Sequence, residues 1–281
     1  MKKILLATTA LVATAGFAAA EISWSGSANM GIKYSDQGTT QVHDEIDIGM
    51  AATGETDGGI AWKVEMGIDS DNTDASRAGA VDAGSVSISG DFGTIRVGNV
   101  SWAGSAVGIG DVGFDGSAID SAAHKGRTAG ATTHDVQWNY TMDDISLHAS
   151  TNTSTDDNAL ALSWTSGELA IGVSHAAAGA TGGATANTMS IGTSVGGFAV
   201  KGVAASHSTA ANDSVGLSAS MPVDGLGTVT FITGSNDTDA KSSYGIGFSK
   251  SLGADSGATL KGYVGSVNGN DVADLGIGFS F

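Results

Sequence analysis

Eight charged residues stand where they could do work on a solute. Lys33, Lys63, Arg96, Lys201 and Lys261 share the polar parity of alternating segments, and Tyr263 shares that of Lys261. Asp111, Asp115 and Asp120 fall in a long stretch with no alternation, followed by His124, Lys125 and Arg127. Bases on a wall opposite acids on a loop would set up a transverse field. Such a field orients dipolar solutes and filters ions, and it breaks no bonds. Bond-making chemistry has little support. There is no Gly-x-Ser-x-Gly elbow with a paired base, so the chain is not read as an enzyme, and no strand–glycine–helix unit that would hold a nucleotide. The six histidines, His43, His124, His134, His148, His175 and His207, show no ligand spacing, though His148 falls where it could line a lumen. Asp69-x-Asp71-x-x-Asp74 lacks the glycine and closing glutamate of a calcium loop. Asp156, Asp157, Asp237 and Asp239 read as solvated loop acids. No cofactor is expected, and weak calcium binding in loops is the most these acids suggest.

Sixteen segments of two-residue alternation would have to position these charges. They span 21–34, 43–53, 59–69, 82–89, 94–99, 133–141, 144–151, 157–165, 168–175, 185–195, 198–206, 212–221, 227–234, 242–250, 257–267 and 272–281. Short connections such as Val195-Gly196-Gly197 alternate with longer polar ones near 35–42, 70–81, 99–132, 151–156, 176–184, 206–212 and 235–241. An even number of strands with short turns at one end and long loops at the other is the pattern of a membrane barrel. The connection 99–132 is the longest and less polar than a disordered tail. It is expected to fold inward as the third external loop and constrict the barrel.

Each strand has one apolar face. Ile22, Trp24, Ala28, Met30, Ile32 and Tyr34 oppose Ser23, Ser25, Ser27, Asn29 and Lys33; Ile60, Trp62, Val64, Met66 and Ile68 oppose Lys63, Glu65 and Asp69. Trp138, Tyr140, Trp164, Phe198, Tyr244, Phe248, Phe279 and Phe281 also lie on the apolar parity, several near strand ends where a girdle at the lipid boundary would sit. The fold class expected is all-β: a sixteen-stranded antiparallel transmembrane β-barrel with lipid outside and water within. A soluble β-sandwich has the same period. The alternative is therefore a secreted, soluble β-rich binding protein or adhesin whose acidic loops would bind calcium.

Residues 1–20 read as a signal peptide: Lys2 and Lys3, an apolar stretch, then Ala18-Ala19-Ala20. Residues 21–281 then form the barrel. Without Lys2 and Lys3 the 12 basic residues become ten against 29 acidic, a net charge of −19. That excludes nucleic acid as a partner and tilts a pore toward cations. An exported chain without cysteine needs another source of stability, which a sheet with no open edge supplies. The 43 glycines suit close backbone approach and sheet curvature.

Three stretches carry a resemblance. Glu21-Ile22-Ser23-Trp24-Ser25-Gly26 with Met30-Gly31-Ile32-Lys33-Tyr34 resembles the first strand of alphaproteobacterial general porins. Ser89-Gly90-Asp91-Phe92-Gly93-Thr94-Ile95-Arg96-Val97-Gly98-Asn99 is similar to that family's fourth turn and fifth strand, and Val272 to Phe281 to its closing strand. The resemblance implies an outer-membrane diffusion channel for small hydrophilic solutes and ions, embedded among outer-membrane lipids as a homotrimer and narrowed by an inward third loop. This chain departs from the family in its few loop acids and in lacking a dense arginine cluster opposite them.

Overall fold

The computed structural model describes residues 20–38, 40–71, 80–179, 183–209, 212–253 and 255–281. The leader assigned to 1–20 lies outside them except for Ala20, as does Asp74. Sixteen strands follow in order: β1 (Glu21–Ser35), β2 (Gln41–Glu55), β3 (Ala61–Asp71), β4 (Ala80–Gly90), β5 (Gly93–Ser101), β6 (Thr133–Met142), β7 (Ile145–Asn152) and β8 (Asp157–Ser166). The second half is β9 (Leu169–Ala177), β10 (Thr185–Val195), β11 (Phe198–His207), β12 (Ser214–Val223), β13 (Gly227–Asn236), β14 (Ser243–Ser251), β15 (Ala258–Val267) and β16 (Asn270–Ser280).

Each strand pairs antiparallel with its neighbours in sequence, and β1 also pairs with β16, so the sheet closes into a barrel. At that seam Met30 faces Ile277 and Lys33 faces Asp274. Gly26 and Phe281 exchange backbone N–H···O bonds of 2.8 and 3.0 Å. The Phe281 ring lies where a Gly26 side chain would have been.

The distribution of burial separates the barrel from the sandwich. In a soluble sandwich the apolar parity would be buried. Here it is exposed: Trp24 is 68% accessible, Val42 73% and Leu160 60%, with Ile246 and Leu275 also open. The opposite parity holds the buried small and polar residues, among them Ser87, Ala161, Ser174, Thr188, Ser190 and Ser214. A belt of this size is unstable in water and needs lipid against it.

Two irregularities explain where alternation misplaces strand ends. Register shifts between Val97 and Val100, at Gly98 with φ +122°, before β5 and β6 resume pairing at Val100–His134 and Ser101–Thr133. A second shift lies between Glu65 and Gly67 of β3, opposite β4. Each bulge breaks the two-residue period, so β4 and β5 read short in sequence. The loop-length asymmetry is broken most at two connections. Residues 252–257 give the short-turn end a six-residue connection, while 268–269 give the other end a two-residue one. In that turn Asn268 and Gly269 both take positive φ, 49° and 86°, as a tight hairpin requires.

The connection 102–132 contains a 3-10 turn (Ala103–Ala106), α1 (Ile119–His124) and a second 3-10 turn (Lys125–Arg127). The first turn contacts β7, β8 and β9, the second contacts β10 to β12, and α1 contacts β11 to β15. Its apolar side chains supply most of the buried core. Trp102 and Val107 cluster with Ala159, Ala161, Ala176 and Ala186, and Ile109, Val112, Ile119 and Ala123 cluster with Val203 and Ile232.

Candidate functional site

The charged side chains divide into three groups, set by the strands that carry them. On β1 and β2, directly opposed residues pair through their polar faces. Ser27 Oγ donates to Asp47 (2.9 Å) and Asn29 Nδ2 to Glu45 (3.0 Å). The Glu45, Asp47 and Asp69 carboxylates lie within 4.8 Å of one another. Just above them, the Lys33 ammonium is ion-paired to Asp115 of the long connection. His43, only 1% exposed, places Nε2 3.5 Å from the same Asp115 carboxylate and 3.9 Å from Glu45.

On β3 to β5, Lys63 and Arg96 both pair with Glu65, which also accepts from Ser85 Oγ at 3.1 Å. These two bases therefore turn to a carboxylate of their own wall rather than to the connection. Lys201 lines a hollow of about 560 Å³ with Trp102, His124 and Arg127. Lys261 sits on β15 between Ser249 and Gly276 and, like Lys201, has no ion pair among the described residues. Of the five bases singled out by parity, Lys33 alone is paired with an acid of the connection.

The connection is tied to the small-residue face at many points. Asp274 accepts the Phe114 N–H at 3.1 Å and the Tyr263 N–H at 3.1 Å. Ser150 Oγ accepts the Ala103 N–H (2.7 Å); Ser214 Oγ accepts from Gly126 (3.0 Å) and donates to the Ala123 carbonyl (2.9 Å). Asp157, read from sequence as a solvated acid, instead accepts the N–H groups of Ala131 (2.7 Å) and Gly179 (2.8 Å) and the Thr155 hydroxyl. The Phe114 ring rests on Gly31 and Gly276, whose missing side chains leave it room.

Within the connection, Asp111 accepts from Val112 N (2.8 Å) and Ser117 N (2.6 Å) and from the Ser117 hydroxyl. Burial raises its pKa, helped by the charge of Asp120 and opposed by the Ser117 bonds. Burial also pushes Asp120 upward, but the bond and charge of His124, 3.4 Å away, outweigh it and leave its pKa lowered. His124 Nε2 accepts the Ile109 N–H at 3.1 Å. The Arg127 guanidinium, 7% exposed, donates to the Gly104 carbonyl at 2.9 Å and lies 5.7 Å from the Trp102 ring centre. Burial lowers its pKa to about 10 against the raising effect of Asp120.

Sequence reading singled out none of Asp274, Glu65, Glu45, Asp47 and His43 as site residues. Parity alone could have found them, since each falls on the polar face of its strand. Arg127 reads from sequence only as one of a basic group, because nothing periodic marks a side chain that folds back on its own segment.

Three comparisons bear on these findings. The sequence profile described as Gram-negative porin matches residues 7–281. No curated protein sequence matches the chain. Among solved structures, a triply substituted variant of Rhodopseudomonas blastica porin superposes with a TM-score of 0.80 at 20% identity, covering 92% of this chain and 100% of that one. A second triple variant of that porin gives the same values. A structure described as asymmetric conductivity of engineered proteins gives 0.79 at 20% identity, covering 93% and 100%.

Proposed function

The chain belongs to the Gram-negative porin family, and from that premise we propose that the connection 102–132 folds into the lumen as the third external loop and narrows it at an acidic constriction. The protein is a multi-pass outer-membrane channel through which small hydrophilic solutes diffuse passively. The family comprises channels rather than enzymes.

One observation carries the constriction reading. The long connection bonds to side chains of the face opposite the lipid belt, with the Phe114 N–H on Asp274 and Asp115 on Lys33. An external loop would leave those wall groups to water. The connection contacts β7 to β15 and reaches β1, β2 and β16 through Phe114 and Asp115, so the open passage runs beside β3 to β6 and the part of β2 beyond His43. That arc carries Glu45, Asp47, Glu65 and Asp69 against Lys63 and Arg96, both held by Glu65. Asp111 and Asp120 add charge from the loop side, while Lys201 and Lys261 stand on strands beneath the loop. The field is therefore net acidic and favours cations and cationic ends of solutes. No cofactor enters this scheme.

The test is the reversal potential across a bilayer under a KCl gradient. A cation-preferring sign is expected, and an anion-preferring one would overturn the filter. We further propose a homotrimer, which the family resemblance supports. Native mass in detergent is expected at three copies, and a single copy would refute it.

A further inference from the structure

The barrel uses glycine in two physically different ways. In the tight turns it supplies backbone conformations with φ > 0, as at Gly196 (59°), Gly197 (86°) and Gly269 (86°). Gly216 on β12, Gly234 on β13 and Gly247 on β14 take no such conformation. Their backbones would accept any residue, so what these glycines supply is room. A Cβ on Gly234 would lie 2.6 Å from the Ala123 N, 2.8 Å from the Ile119 carbonyl oxygen and 2.9 Å from the Ala123 Cβ. One on Gly247 would lie 2.7 Å from the Val112 Cβ. One on Gly216 would overlap the Ala123 Cβ and lie 2.9 Å from Ile109 Cδ1. Gly192, on the same face of β10 but clear of the loop, would meet nothing closer than 3.5 Å.

We infer that Gly216, Gly234 and Gly247 are positioning residues that set the channel's free cross-section. By omitting one carbon each, they let α1 and Val112 lie flush on the wall. This rests on the reading that the connection lies in the lumen. Carbon atoms pack at about 3.5–4.0 Å, so a methyl at these sites lifts the connection by roughly 1 Å toward β2–β6. Cores do not absorb such an insertion without movement.

The experiment is single-channel conductance of the full-length protein in molar KCl. Assembly of each variant is checked by heat-modifiable gel migration. Gly216→Ala, Gly234→Ala and Gly247→Ala are each expected to lower conductance about 1.5-fold, whereas Gly192→Ala leaves it at the wild-type value. Moving the carbon from loop to wall, Gly216→Ala with Ala123→Gly, restores conductance. If Gly234→Ala or Gly247→Ala fails to assemble, Gly216→Ala and its rescue carry the test. Deleting 103–127 separates the two readings. No rise in conductance on deletion overturns the constriction itself. A rise, combined with unchanged conductance in the alanine variants of the full chain, overturns the seating alone. Alanine effects that persist in the deleted protein also overturn the seating, because they would then belong to the wall.

Discussion

Glu65 holds two bases at once, so within the proposed filter a change there alters the balance of charge most directly. Arg96→Ala leaves Glu65 shared with Lys63 alone and raises the preference for cations. Glu65→Gln leaves Lys63 and Arg96 without a counter-charge and lowers it. A unit charge about 8 Å from a passing ion in water is worth about 0.5 kcal/mol, so each change is about twofold in the permeability ratio, in opposite directions. An unchanged reversal potential in both variants would remove this cluster from the ion path. Asp111 and Asp120 make a pH prediction. Asp111 has a raised pKa because it is buried beside Asp120, so the folded state takes its proton before the unfolded chain would. As pH falls from neutral, Asp111 therefore loses its charge first and the fold of the connection is favoured. Asp120 has a lowered pKa, held down by His124 against burial. It contributes stability above the ordinary Asp value that is lost as pH falls through its own lower one. Cation preference should fall on acidification, and Asp111→Asn should remove the earliest part of that fall, read as reversal potential against pH.

At the level of elements, the closing strand and the long connection differ in how far sequence could describe them. The strands were legible because one physical rule, lipid on one face and water on the other, fixes every second residue. Ile22 to Tyr34 and Leu275 to Phe281 obey it without interruption. Reading failed by a few residues in β4 and β5 because bulges reset the phase there. It failed more deeply in the connection. α1 has six residues, too few for a helical period to emerge. Its partners are glycines, alanines and serines whose contribution is the space they leave. The charges were legible one by one, but not their pairing: register says which face Lys63 occupies, and only three-dimensional proximity says that it meets Glu65. The seam gives an element-level prediction. The Phe281 ring covers Gly26, a glycine in a strand that would otherwise expose backbone. Phe281→Ala should lower the temperature at which the folded gel band converts to the unfolded one. Because Phe281 is 72% exposed, the loss should be only a fraction of that for a fully buried ring, under about 1 kcal/mol. An unaltered conversion temperature would show that the ring does not stabilise the seam.

The whole molecule is a tube with acids at both ends and on the wall between them. The short-turn end presents Asp91, Asp143, Asp144, Glu168 and Asp224, the long-loop end presents Asp36, Asp156 and Asp237, and β2 and β3 present Glu45, Asp47 and Asp69. Counter-ions therefore gather before they enter. Screening acts over about 10 Å at 0.1 M salt and about 30 Å at 0.01 M, so the mouths matter most when salt is dilute. Conductance should fall less than proportionally as KCl is diluted, and the cation-to-anion permeability ratio should rise. Strict proportionality down to 0.01 M would show that the mouths are electrostatically silent.

In a closed ring of strands no strand is first. Glu21 begins β1 at the short-turn end, and Phe281 joins the same strand at Gly26, five residues along, about 17 Å at the usual rise of a strand. A linker of about six residues could bridge that gap. The ring could then be reopened elsewhere, at the connection between β14 and β15 on the same end or at the Asn268–Gly269 hairpin on the other. Circular permutants of this kind should assemble with the same sixteen pairings and the same conductance. Their new ends would project from whichever mouth is chosen, giving a tether on either side of the membrane without touching the passage. Which strand comes first is a matter of inheritance; the mechanics of the tube do not depend on it.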